Sequence, residues 1–192
     1  EQYAELVNNG PRSVSSFFIP KAIVNTTAGQ IAIRYGLNGP CYSIVTACAS
    51  GADAIGHAYY AVREGRADAM LVGGAESVMI ELAVQGFHQM GALTEESDIL
   101  RASIPFDKER QGFVIGEGAA FLLLESEASV KKRGASILGQ LAGYAQTCDA
   151  HHITAPQPEG KQAARAMAEA MRDAGIAKEQ VGYINAHGTS TP

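Results

Sequence analysis

The 192-residue chain is 46% hydrophobic and 18% charged, against about 25% charged in an average globular protein, so it reads as folded and heavily buried and not as disordered. A net charge of -5 with no block of Lys or Arg argues against nucleic-acid binding. The longest apolar runs, such as 118–124, fall far short of the ~20 residues that cross a bilayer, so no membrane span is expected. Cys41, Cys48 and Cys148 are odd in number and form no C-x-x-C pair, which disfavours a disulfide framework or a zinc ribbon and fits a reducing cytoplasm. The chain starts at Glu1 and stops at Pro192 inside a motif that reads as continuing, and is expected to be a piece of something longer.

Residues 21–35 are predicted as a helix stopped by Gly36, with a turn at 37–40. Residues 41–46 read as a short buried strand, and 50–64 as an Ala-rich helix whose Gly65 suits the left-handed position after a helix end. An apolar strand at 69–72, closed by Gly73-Gly74, completes a strand–helix–strand order that predicts a βαβ unit with a parallel sheet. Residues 118–125 read as a fully buried strand. The second half repeats the pattern with a strand at 137–144, a helix at 161–174 capped by Gly175, and a strand at 183–186 running into His187. Ala163, Met167, Ala170, Met171 and Ala174 fall on one face of that helix. The expected class is a layered α/β fold.

Cys48 stands where the first predicted strand turns into a helix. A helix N-terminus offers unpaired N–H groups and partial positive charge, which favour a thiolate; the same residue type also fills small core sites, the reading preferred for Cys41 and Cys148. His187 ends a strand and is followed by Gly188 and three hydroxyl residues. That place faces the crevice where open α/β sheets bind ligands, although a His in a polar loop can be there for no chemical reason.

Five segments carry a resemblance in order along nearly the whole chain: Thr46-Ala47-Cys48-Ala49-Ser50-Gly51, Gly73-Gly74-Ala75-Glu76, the run from Pro105 to Phe113, Gly116-Glu117-Gly118-Ala119, and Asn185-Ala186-His187-Gly188-Thr189-Ser190-Thr191-Pro192. Together they resemble the β-ketoacyl-[acyl-carrier-protein] synthases. Ser16-Phe17-Phe18-Ile19-Pro20 and 103–118 are most similar to the elongating type II enzymes. The resemblance implies a thiolase-like layered α/β/α/β/α fold, present in part: the end of the first half over 1–130, carrying the nucleophile, and the start of the second over 131–192.

It further implies that Cys48 accepts an acyl chain from the phosphopantetheine thioester of acyl carrier protein. His187 would be one of two histidines that bind malonyl thioester and stabilise the enolate left by decarboxylation. Thr189 and Thr191 would hydrogen-bond the pantetheine arm, and the Cys48 N–H would serve as an oxyanion donor. Phe87, with Phe18 reaching over from a second subunit, would line the acyl pocket at a homodimer interface. No metal or redox cofactor is implied, since phosphopantetheine arrives on the carrier protein. Family members continue past this last motif to a lysine, a second histidine and a Gly-rich strand, so the 192 residues alone are expected to lack condensing activity and to expose hydrophobic patches.

Other signals are weaker. Cys148 with His151-His152 could ligate a metal but shows no fourth ligand, and Gly116-x-Gly118 lacks the third glycine and the following helix of a dinucleotide site. Asp107, Glu109 and Arg110 read as a charged turn near the site mouth, and Glu76 and Glu117 as acids hydrogen-bonded inside. His57 and His88 read as packing or solvated residues. Two rival functions use the same residues: a Cys–His acyl hydrolase with His187 as base and Asn185 as orienter, and a non-catalytic subunit, against which Cys48 itself argues.

Overall fold

Apolar spacing and small residues set the helices, and glycines end most of them. In the helix α4, Ser50–Arg63, the N–H of Gly65 returns to the Val62 carbonyl and that of Arg66 to the Ala61 carbonyl. This paired closure needs the left-handed backbone that Gly65 supplies, at φ 70°. The computed structural model describes residues 1–192, which divide into two units, Glu1–Ser50 and Gly51–Pro192.

The first unit contains α1 (Gln2–Asn9), α2 (Phe18–Ala22) and α3 (Thr26–Tyr35), with 3-10 turns at Pro11–Ser13 and Ala47–Ala49. The single helix expected over 21–35 is thus two. Ile23 and Val24 interrupt it, two consecutive β-branched residues that lose rotamer freedom on a helix. The Thr26 hydroxyl then bridges the break by donating to the Pro20 carbonyl at 2.7 Å. Residues 41–46, expected as a strand, have no ladder partner and form none.

The second unit holds α4, β1 (Ala69–Glu76), α5 (Glu81–Gln89), β2 (Gly118–Glu125), α6 (Glu127–Arg133) and α7 (Lys161–Ala174). Both β2 and α7 occupy the ranges read from sequence. The sheet does not: β1 pairs antiparallel with β2, from Ala69 opposite Glu125 to Glu76 opposite Gly118, and the parallel βαβ pairing is absent because 41–46 is not a strand. Nor do Gly73-Gly74 close β1, which continues through them. A Cβ at Gly73 would strike the Ala120 carbonyl and Phe121, so a residue without a side chain is what lets β2 lie this close. β2 is also not buried, with Phe121, Leu122 and Leu123 exposed at 42%, 51% and 54%. Residues 137–144 and 183–186 form no strand, again for want of a pairing partner.

The core of this unit is small. Ala58, Ala61 and Val72 are buried apolar residues, and Asp53 on α4 is buried with them. Asp53 accepts from the Tyr144 hydroxyl at 2.7 Å and from Gln146 Nε2 at 2.9 Å. The phenol lies against Gly56, where a Cβ would collide with its ring. Burial, with the Asp53 carboxylate behind it, pushes the Tyr144 hydroxyl well above its ordinary range and keeps it a donor. Tyr59 and Tyr60 donate to the carbonyls of Ala142 and Tyr144 at 3.0 and 3.2 Å. On the other side, a Cβ at Gly143 would press into the Ala170 and Ala174 backbone of α7. Residues 142–146 are therefore sandwiched between α4 and α7 by side-chain hydrogen bonds in place of a strand ladder. The α7 face is half-covered by this contact, yet Met167 remains 51% exposed.

Candidate functional site

Cys48 lies in the middle of the Ala47–Ala49 3-10 turn that leads into α4. Ser50 braces the turn: its Oγ accepts from the Thr46 N–H at 2.9 Å and donates to the Ala47 carbonyl at 2.7 Å. Ala47 takes a positive φ of 49°, an uncommon angle for a residue with a Cβ, which turns the chain sharply just before the cysteine. Cys48 is exposed and free. Cys41 and Cys148 are exposed as well, against the core-filling role read for them; both lie in irregular segments where no ladder closes over the side chain. Phe18, also in the first unit, sits at the start of α2 with 43% of its surface exposed.

In the second unit the loop after residue 186 borders a cavity of about 260 Å³ lined by Phe106, Arg110 and residues 187–191. His187, Thr189 and Thr191 thus all border this one space. The two threonine hydroxyls share a hydrogen bond of 2.7 Å, and the Thr191 N–H adds one of 3.3 Å to Thr189 Oγ1. This presents two adjacent hydroxyls and an imidazole to one space, a set suited to holding amide and carbonyl oxygens of a ligand. Phe87 is not part of that lining. Its ring instead meets Phe113 edge to face at 5.3 Å, and the neighbouring Gly112 N–H donates to the Ser190 carbonyl at 2.9 Å.

Three residues in or beside the cavity were not singled out as site residues by the sequence. Ser190 is 2% exposed, and its Oγ accepts from the Ile104 N–H at 3.1 Å. Arg110 donates from Nε to the Thr191 carbonyl at 2.7 Å and from Nη1 to the Asp107 carbonyl at 2.8 Å. Phe106, 72% exposed, covers Gly188, at which a Cβ would come within 2.9 Å of its ring. The charged turn does form, with Asp107 Oδ1 accepting from the Glu109 N–H at 2.8 Å and Arg101 paired to Glu109. The only signal for these contacts in the sequence is the proximity of hydroxyl and charged residues to glycine; the partners lie about 80 residues apart.

Glu117 and Glu76 are exposed, not interior. Glu117 Oε1 accepts from Ser77 Oγ at 2.8 Å and the Met79 N–H at 3.0 Å, and these bonds, the Ser77 hydroxyl first, hold its carboxyl below the usual range. They tie the end of β1 to the start of β2. Among the histidines, His57 is exposed, His88 faces Glu95 at 3.7 Å, and His152 Nδ1 accepts from the backbone of Thr154 and Ala155 at 3.2 and 3.0 Å, which closes a local turn.

Comparison with known proteins gives these features a family context. The model of the Beta-ketoacyl synthase, N-terminal domain matches residues 1–129, and that of the Beta-ketoacyl synthase, C-terminal domain matches 138–192. The chain is 50% identical to a 3-oxoacyl-[acyl-carrier-protein] synthase 2 of Synechocystis sp., over 100% of this chain and 46% of the relative. It is 48% identical to the Staphylococcus aureus protein of the same name, over 99% and 47%. A type II polyketide ketosynthase solved with its acyl-carrier protein superimposes with a TM-score of 0.91 at 40% identity, covering 95% of this chain and 45% of that one. A β-ketoacyl synthase of Burkholderia phymatum gives 0.91 at 36% identity, covering 100% and 47%. The chain spans about half the length of the curated relatives it matches. None of its helices is long and apolar enough to cross a membrane.

Proposed function

The chain belongs to the β-ketoacyl synthase family and carries part of its thiolase-like α/β fold, and from that premise we propose that it supplies the nucleophile and one substrate-binding histidine of an elongating condensing enzyme. The observation that carries this reading is the exposed Cys48, held in a braced turn directly before the first residue of α4. There the sulfur stands at the N-terminal end of a 14-residue helix, where free backbone N–H groups carry partial positive charge.

Cys48 Sγ attacks the thioester carbonyl of an acyl chain delivered on acyl carrier protein; the C–S bond to the enzyme forms and the pantetheine thiol leaves with a proton. In the second half-reaction, malonyl thioester binds beside His187 with its pantetheine arm against Thr189 and Thr191. Its C–C bond breaks, carbon dioxide departs, and the electron pair is held as an enolate by hydrogen bonding from His187. The enolate carbon then attacks the acyl-Cys48 carbonyl and expels the thiolate. Every atom is accounted for without a metal or redox cofactor, and phosphopantetheine enters only as part of the carrier-protein substrate. Phe87 and, from the other subunit of a homodimer, Phe18 are assigned to the acyl pocket. The setting is the cytoplasm, with fatty-acid or polyketide elongation as the pathway class.

The test uses the full gene product with a long-chain acyl thioester and intact-mass detection. A stable acyl adduct that disappears in Cys48→Ala, and that yields β-ketoacyl product on addition of malonyl-acyl carrier protein, is the expected result. Release of free acid without a carbon–carbon bond would turn the reading to a hydrolase, and absence of any adduct to a non-catalytic subunit.

A further inference from the structure

The groups assigned to malonyl thioester sit on a loop, 187–191, that belongs to no helix or strand. A loop of that kind ordinarily samples many geometries, whereas enolate stabilisation depends on donors held in one. The second unit resolves this by gripping the loop at three points with one other segment, 104–112. The Ile104 N–H donates to Ser190 Oγ at 3.1 Å, the Gly112 N–H to the Ser190 carbonyl at 2.9 Å, and Arg110 Nε to the Thr191 carbonyl at 2.7 Å. A second donor of the same guanidinium holds the Asp107 carbonyl at 2.8 Å, so the planar fork spans loop and turn together.

Backbone strain marks the same contact. Ser190 and Phe106, one on each segment, both take the left-handed conformation, at φ 68° and 66°. Neither is a glycine, and such angles persist only where the surroundings over-determine them. Ser190 is nearly inaccessible to solvent and bonded through both its hydroxyl and its carbonyl, so both of these polar groups are committed to the 104–112 segment and serve to set where its neighbours point.

We propose that Ser190 and Arg110 are positioning residues that clamp the 187–191 loop to the 104–112 turn, fixing His187, Thr189 and Thr191 in the geometry that decarboxylation requires. The proposal rests on the functional reading above. Arg110→Lys does not preserve the clamp, because an ammonium lacks the flat pair of donors that reaches two carbonyls at once.

The experiment measures three quantities on the full gene product: carbon dioxide release from malonyl-acyl carrier protein, alkylation of Cys48 by iodoacetamide, and amide exchange of 187–191. Ser190→Ala and Arg110→Lys are each expected to lower kcat for decarboxylation about tenfold, to raise exchange at 187–191, and to leave Cys48 alkylation within about twofold. Ser190→Gly relieves the strained angle but also removes the acceptor, and is expected to be impaired like Ser190→Ala. Guanidinium ion added to Arg110→Ala is expected to restore several-fold activity. Unchanged kcat or unchanged exchange in folded variants overturns the clamp. Equal falls in decarboxylation and in Cys48 alkylation mark a general effect on the fold and overturn it also. A wild-type protein that releases no carbon dioxide refutes the proposed function and the positioning role with it, whereas an active wild type with unaltered exchange in the variants refutes the clamp alone.

Discussion

Gly56→Ala is expected to destabilise the protein even though the same exchange in most helices stabilises it. Gly56 is buried in α4, and replacing an interior helical glycine by alanine ordinarily gains about 1 kcal/mol from propensity. Here the new methyl would occupy the space of the Tyr144 ring, which is held by the 2.7 Å bond from its hydroxyl to buried Asp53 and by its 6.0 Å edge contact with Tyr60. Overpacking of this kind costs about 1–3 kcal/mol. Moving the ring would also loosen a hydrogen bond to a charged acceptor, which is worth about 1.5–3 kcal/mol. After the propensity gain is subtracted, the net loss is about 1.5–5 kcal/mol, or a Tm fall of roughly 3–20 °C for a chain of this size. Urea unfolding followed by circular dichroism measures it. Gly86→Ala in α5 is the control, since a Cβ there meets nothing within 4 Å, and it should be neutral or stabilising by up to about 1 kcal/mol. In a Tyr144→Ala background Gly56→Ala should become neutral or favourable. Gly56→Ala at or above wild-type stability would refute the packing argument.

Gly188→Ala should impair malonyl decarboxylation by several-fold while leaving Cys48 alkylation intact, because its methyl would press on Phe106 and Pro105 at about 3 Å; steady-state kinetics with unchanged kcat would count against that role for the Phe106 wall. Ser126→Ala removes the side chain that caps α6 by accepting from the Ser129 N–H at 3.2 Å, and should cost about 1 kcal/mol in the same urea assay. Asp173 is held below the usual carboxylate range by the Arg63 guanidinium at 2.6 Å and the Tyr144 N–H at 3.1 Å. Its folded pKa is depressed, so its stabilising contribution is present above the unfolded value near pH 4 and is lost as pH falls through the folded value. A pH series of unfolding midpoints should show that acid loss reduced in Arg63→Met.

The sequence was most legible where structure is local. The bounds of α7 and β2 and the glycine end of α4 follow from spacing and from one residue each, Gly175 and Gly65 in the helices. Strands at 41–46, 137–144 and 183–186 were expected from apolar content, but a strand exists only with a neighbour, and residue composition does not say whether one is present. The antiparallel pairing of β1 was missed for the same reason, together with the assumption that Gly73-Gly74 must end a strand; both glycines pair with β2, and at Gly73 the close approach of the Ala120 carbonyl leaves no room for a side chain. The segments around Cys48 and His187 each stand out as motifs because their chemistry is contiguous in sequence. The Arg110–Thr191 and Ile104–Ser190 contacts span 81 and 86 residues, and no short pattern announces them.

The two-stranded ribbon has a consequence for how the 192-residue stretch taken alone behaves at high concentration. With β1 and β2 paired only to each other, each strand keeps one row of backbone N–H and C=O groups without a ladder, beside the exposed side chains of Leu71, Phe121, Leu122 and Leu123. Such a ribbon is a template for further strands of the same composition. Colloidal lifetime should therefore shorten steeply with concentration, and a single Lys on the open edge of β2 should lengthen it more than a change in net charge elsewhere on the surface.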